Sequence, residues 1–182
     1  MSEFSNPAAT GVADAAAYTA SLLKLLDGRD PLLVMRETPQ KLSAAVKDMP
    51  RDRLAEPEMP GKWSIRDVVQ HYADSELNGS IRFRMVLAQD RPPLIGYDQD
   101  LWSQRLHYSE SNVNEALAEF TSLRRANIRL FERTTDADRA RVGIHSERGE
   151  ESLGHMMKLY AAHDLVHLRQ IERIKRVVGS LG

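Results

Sequence analysis

The sequence predicts an all-α protein, a four-helix bundle with a short extra helix at its N-terminal side, and three observations carry that prediction. Apolar residues recur at helical spacing along almost the whole chain, and no convincing run alternates polar and apolar residues as a half-buried strand would. Four substantial helical segments are separated by connections, the pattern of a bundle. The 182 residues, 42% hydrophobic and 28% charged, suit one soluble core, and no repeat, low-complexity tract or second composition divides them.

Residues 1–11 read as a flexible N-terminus and 12–182 as a single domain. The leading helix, about 12 to 27, sets Tyr18, Leu22, Leu25 and Leu26 at helical spacing and stops at Gly28. Asp30 and Pro31 start a second segment that runs to about Met49. Within it, Thr38 before Pro39 suits an N-cap and first position better than a helix interior, which predicts a break or kink. Three prolines in "MPRDRLAEPEMPG" mark a connection. Ser64 with Asp67 three residues on opens the next helix as a capping box, and Pro92-Pro93 fix its end near Asp90. A loop with a short helix follows in "LIGYDQDLWSQRLHY", then a long helix from about Asn112 to Arg133. "TTDADRARVGIHSERGEE" reads as a connection to the last helix, about Glu151 to Val178, which Gly179 stops. Trp63 and Trp102 read as core anchors.

Composition narrows the function. With 25 basic and 26 acidic residues, nothing draws the chain electrostatically to nucleic acid or an anionic membrane. No stretch approaches the roughly 20 apolar residues of a membrane span, and the N-terminus lacks a signal-peptide pattern, so a cytoplasmic protein is expected. The absence of cysteine leaves histidine and carboxylate as the metal-ligating side chains and removes any thiolate nucleophile of the chain's own.

The last helix carries "YAAHDLVHLRQIERI", with His163 and His167 four residues apart. At about 100° per residue the two rings lie about 40° apart, on the face that also carries Met156, Leu159, Val166, Ile174 and Val177, so both point into the bundle. An i, i+4 histidine pair brings two imidazole nitrogens toward one ion, although hydrogen-bonded core histidines fit the pattern as well. A third ligand belongs on a facing helix. His71 fits, two turns into the capped helix, on a polar stripe with Asp67, Asp74, Ser75, Asn78 and Arg82 that is either a solvated face or the wall of a wet cavity. His107 and His145 fall in or beside connections and His155 lies about 120° from His167, which makes all three poorer candidates.

Three stretches, "GKWSIRDVVQHYADSE", "RFRMVLAQDRPPLIGYDQDLW" and "GEESLGHMMKLYAAHDLVHLRQIERI", resemble the DinB/YfiT-like superfamily, and the resemblance spans about residues 30 to 175. Similar proteins are four-helix bundles in which one histidine of the second helix and an H-x-x-x-H pair of the last bind a divalent metal. The resemblance therefore implies one such ion per chain on His71, His163 and His167, with zinc or nickel best suited to three neutral imidazoles and one position left open. It also implies a small-molecule substrate: members include thiol-dependent S-transferases, a mycothiol-dependent isomerase and proteins described as metal-dependent hydrolases. A metal-dependent enzyme working with a low-molecular-weight thiol is the expectation, a hydrolase the first alternative and a non-catalytic metal-binding protein the second. Dimerisation recurs among similar proteins, so a homodimer is expected on that ground alone.

Neighbouring residues keep several readings. Asp164 suits a surface acid, a salt-bridge partner on another helix or a support for the metal ligands; Asp74 suits a general base or a solvated acid. Tyr160 and Gln170 flank the histidine pair at helical spacing and join Asn78 and Arg82 as candidate cavity residues.

Overall fold

A computed structural model describes residues 12–179; the expected flexible N-terminus, residues 1–11, and the side chain of Tyr18 lie outside the described residues. Among the described residues eight α-helices form: α1 (Val12–Lys24), α2 (Pro31–Val46), α3 (Arg51–Ala55), α4 (Ile65–Ala88), α5 (Gln99–Arg105), α6 (Val113–Phe131), α7 (Asp136–Ala140) and α8 (Leu153–Gly179). The four long ones, α2, α4, α6 and α8, make the bundle, and α1 packs along α8. Their starts follow the local chemistry. Asp30 accepts from Leu32 N–H with Pro31 at the first position of α2, Ser64 and Asp67 close a reciprocal capping box on α4, and Asn112 caps α6.

Consecutive long helices are not all neighbours. Around the bundle the order is α2, α6, α4, α8, so α2 and α4 sit on one diagonal and α6 and α8 on the other. Crossing a diagonal takes more chain than a tight turn. The connections that do so carry elements of their own: α3 between α2 and α4, and α7 with a hairpin between α6 and α8.

That hairpin is absent from the sequence expectation. Strands β1 (Pro93–Leu94), β2 (Val142–His145) and β3 (Gly149–Ser152) form a small sheet, β1 parallel to β2 and β2 antiparallel to β3. In β2 the buried positions are Gly143 and His145, while Val142 and Ile144 are half-exposed, so the apolar residues occupy the outer face. Gly143 is needed there because a Cβ would meet Leu94 Cδ1 at 2.7 Å.

The expected break at Pro39 is also corrected: α2 runs unbroken from Pro31 to Val46. Pro39 supplies no N–H to the Met35 carbonyl one turn earlier. The buried guanidinium of Arg124, on α6, donates to that carbonyl at 3.2 Å, and Thr38, rather than capping, donates its hydroxyl to Val34 O at 2.9 Å.

The core is two apolar clusters with a polar layer between them. One gathers Met35, Phe83, Phe131, Met156 and Val166; the other gathers Leu42, Val69, Tyr72, Phe120 and Ile171. Between them Arg124 donates to both oxygens of Asp164 and to Glu76 Oε2, while Asn127 donates to Glu76 Oε1 at 2.7 Å. Burial opposes the charge on Arg124, but the two carboxylates hold its pKa above the ordinary arginine value. The histidines lie in the same layer.

Candidate metal centre

α4 and α8 face each other with His71 on one and His163 and His167 on the other, and the three imidazoles converge. His71 Nε2 lies 3.0 Å from His163 Nε2, which lies 3.1 Å from His167 Nε2. Ligands on a tetrahedral ion at about 2.0–2.1 Å sit about 3.3 Å apart, so these two separations are within a few tenths of an ångström of that spacing, and the three ligand atoms all lie within 4.8 Å of one another.

Proton accounting favours a cation. Burial, with repulsion from neighbouring imidazoles, pushes the pKa of His71 and His163 well below the ordinary histidine value, and burial brings His167 down to about 4 against the opposing pull of Gln170. All three are neutral at pH 7. His167 Nδ1–H donates to Gln170 Oε1 at 2.7 Å, which leaves the His167 Nε2 lone pair facing the cluster. A single proton on His163 Nε2 satisfies one of its two short contacts and leaves the other lone pair against lone pair. A divalent ion accepts all three, which is what neutral imidazoles are suited to donate. His71 Nδ1 is buried without a partner, so no second group fixes this ring's tautomer.

Trp63, expected in the core, packs against the second apolar cluster and also forms a wall of the site. Its ring stacks on His167 at 22° and 6.4 Å and lies 4.9 Å from His71. Trp102 is half-buried and packs on Tyr97 at 4.3 Å between centroids.

Beside the cluster is a cavity of about 110 Å³ that His71 and His163 both line. Arg82 and Tyr160 line it. Gly79 makes room for Tyr160: a Cβ there would meet the phenol ring at 2.5 Å. The other candidates are elsewhere. Asp74, the weak catalytic candidate, turns its carboxylate toward Tyr108 and Gln70 and does not line the cavity, and neither does half-buried Asn78. Asp164 is the salt-bridge partner of Arg124 on another helix, and Gln170 supports His167 from behind.

Sequence reasoning missed the wall that the β2–β3 hairpin supplies: His145 at the end of β2, Arg148 in the turn and Glu151 in β3. Burial disfavours the Glu151 charge, but two bonds from Arg148, at 2.6 and 3.0 Å, hold its carboxyl below the usual range. Tyr97, on the loop before α5, completes the wall. The inverted hydrophobic pattern of β2 concealed the hairpin residues.

The DinB superfamily model matches residues 35–171. The chain belongs to the DinB superfamily. Among relatives within it, the "Putative metal-dependent hydrolase YfiT" of Bacillus subtilis strain 168 is 31% identical over 147 residues, covering 80% of this chain and 83% of that one. A "Putative metal-dependent hydrolase" of Bacillus mycoides strain KBAB4 is 30% identical over 141 residues, 78% of this chain and 81% of the relative. The solved structure of B. subtilis YfiT, described as a probable metal-dependent hydrolase with an unusual four-helix bundle topology, matches with a TM-score of 0.77 at 30% identity, over 82% of this chain and 86% of that one. This DinB-superfamily chain is likewise a four-helix bundle, in the order α2, α6, α4, α8.

Proposed function

We propose that this chain is a divalent-metal-dependent hydrolase of a small molecule, with one ion, zinc or nickel, held by His71, His163 and His167. The convergence of three neutral Nε2 atoms beside a polar cavity carries the reading, and the names of the relatives support hydrolysis. An ion there supplies Lewis acidity, which acidifies water and polarises a carbonyl. The chain's own residues do the rest. Gln170 keeps His167 in the tautomer whose Nε2 faces the site, and Trp63 shields the side away from the cavity. Tyr97 and Tyr160, whose phenols burial pushes upward, remain protonated donors on the cavity wall. Glu151 is held ionised on that wall by its two bonds from Arg148.

A thiol-dependent transfer uses the same open face, with the sulfur supplied by a diffusible thiol because the chain has no cysteine. Elemental analysis should find about one equivalent of a first-row divalent metal, and His163→Ala or His167→Ala should remove most of it. Stoichiometric metal in both variants rejects the site. In cobalt-loaded protein, a sulfur-to-metal charge-transfer band with bacillithiol, mycothiol or glutathione would favour the transferase; its absence, with thiol-independent ester or amide cleavage, favours the hydrolase.

A further inference from the structure

About three turns along α4 from His71, the cavity holds a buried positive charge with no counterion. Arg82 is 8% exposed and, among the described residues, no carboxylate lies within ion-pair distance of it. Its terminal nitrogen donates to the Ile95 carbonyl, but its buried Nε–H has no partner. Buried charges are ordinarily paired, because an unpaired one forfeits hydration without compensation.

His145, at the end of β2, also lines the cavity and is 2% exposed. The Glu147 backbone N–H donates to its Nδ1 at 3.1 Å, so the neutral ring carries its proton on Nε2. That Nε2 is also buried without a partner. The backbone of the hairpin has thus fixed a second N–H donor with nothing to donate to. Glu151 is the carboxylate lining the cavity, and its bonds to Arg148 consume both charges, which leaves that of Arg82 uncompensated. Tyr97 and Tyr160, the other polar side chains close to Arg82, are neutral.

We propose that Arg82 and His145 form a subsite for the carboxylate of a small substrate, whose reacting group then lies at the histidine cluster. One uncompensated positive charge matches a monoanion, and planar N–H donors match a carboxylate. A cavity of about 110 Å³ restricts the ligand to a small molecule such as a short acyl amino acid or half-ester. This inference rests on the hydrolase reading for the substrate's orientation but not for the binding of its carboxylate.

Calorimetry with N-acetylglycine and its neutral counterpart N-acetylglycinamide, on metal-loaded and on chelator-stripped protein, separates the two. The acid should bind at least about tenfold more tightly than the amide in both forms, the scale of a charge-assisted hydrogen bond. Arg82→Gln should abolish the preference and His145→Phe should reduce it, with metal content unchanged in each. Equal affinities, or no binding of the acid at millimolar concentration, overturn the subsite. A preference that survives Arg82→Gln and vanishes on metal removal also overturns it, because the carboxylate then sits on the ion. A preference kept by protein that never holds metal leaves the subsite standing and rejects the metal centre. Should Arg82→Gln not fold, the wild-type comparison and His145→Phe decide the same question.

Discussion

Gln170 shows how one amide can set the chemistry of a metal ligand. Its Oε1 stands 2.7 Å from His167 Nδ1, both groups are buried, and the arrangement leaves one tautomer and one ring orientation. His71 has no equivalent: its Nδ1 is buried and unpartnered. The two ligands should therefore respond differently to their surroundings. Gln170→Ala removes the acceptor while keeping all three histidines, and loss of such an outer partner typically costs about 10- to 100-fold in metal affinity. Competition with a chromophoric chelator would measure it. Gln170→Glu, which keeps the acceptor, should retain affinity better than Gln170→Ala; equal affinity in wild type and Gln170→Ala would show that His167 needs no such support.

Between elements, the polar layer ties α2, α4, α6 and α8 through one side chain. Arg124 reaches Asp164 on α8, Glu76 on α4 and the Met35 carbonyl on α2 that Pro39 leaves free. Removing one partner of a buried ion cluster leaves the others charged and unpaired, at a cost of about 3–5 kcal/mol. Arg124→Met should therefore lose about that much in urea denaturation, and the triple variant that also carries Glu76→Leu and Asp164→Leu should recover much of it. A loss below about 1 kcal/mol for Arg124→Met would mean that the carboxylates hold themselves. This layer explains what the sequence did and did not disclose. Helical periodicity was enough to turn His71, His163 and His167 toward one another, because each lies inside a long regular helix whose start a cap defines. Pro39 misled because its remedy comes from α6, 89 residues beyond the freed carbonyl, and no local signal marks it. The stripe on α4 divided in a way spacing does not resolve: Arg82 reaches the cavity, while Asp74 is drawn toward Tyr108 on a neighbouring 3-10 turn, Tyr108–Glu110. His145 and Glu151 were hidden because strands of four residues, with glycine and histidine facing inward, carry no hydrophobic alternation.

For the molecule as a whole, four buried histidines link folding to pH. Burial lowers His71 and His163 well below the ordinary value, and lowers His145 and His167 to about 4, while an unfolded chain titrates near 6.5. The sign follows directly. Between those values the unfolded state binds protons that the folded state refuses, so stability is full above about pH 6.5 and falls as the pH drops toward 4. Each histidine contributes a slope of about 1.4 kcal/mol per pH unit within its window. Glu151, held low by Arg148, adds a loss of the same sign only in the carboxylate range, while Asp164, raised by burial against the pull of Arg124, acts in the opposite sense. The histidines act from about pH 6.5 downward, and the raised Asp164 opposes them as it protonates. Urea denaturation of chelator-stripped protein should show stability falling from about pH 6.5 to 5 with a net uptake of several protons on unfolding, and His145→Gln should lower that uptake by about one. Bound metal should steepen the fall, because protons then compete with the ion for the same nitrogens. Stability that is flat or rising from pH 6.5 to 5 in the stripped protein would mean that the histidines are already charged in the fold, and the neutral cluster on which the metal centre depends would be wrong.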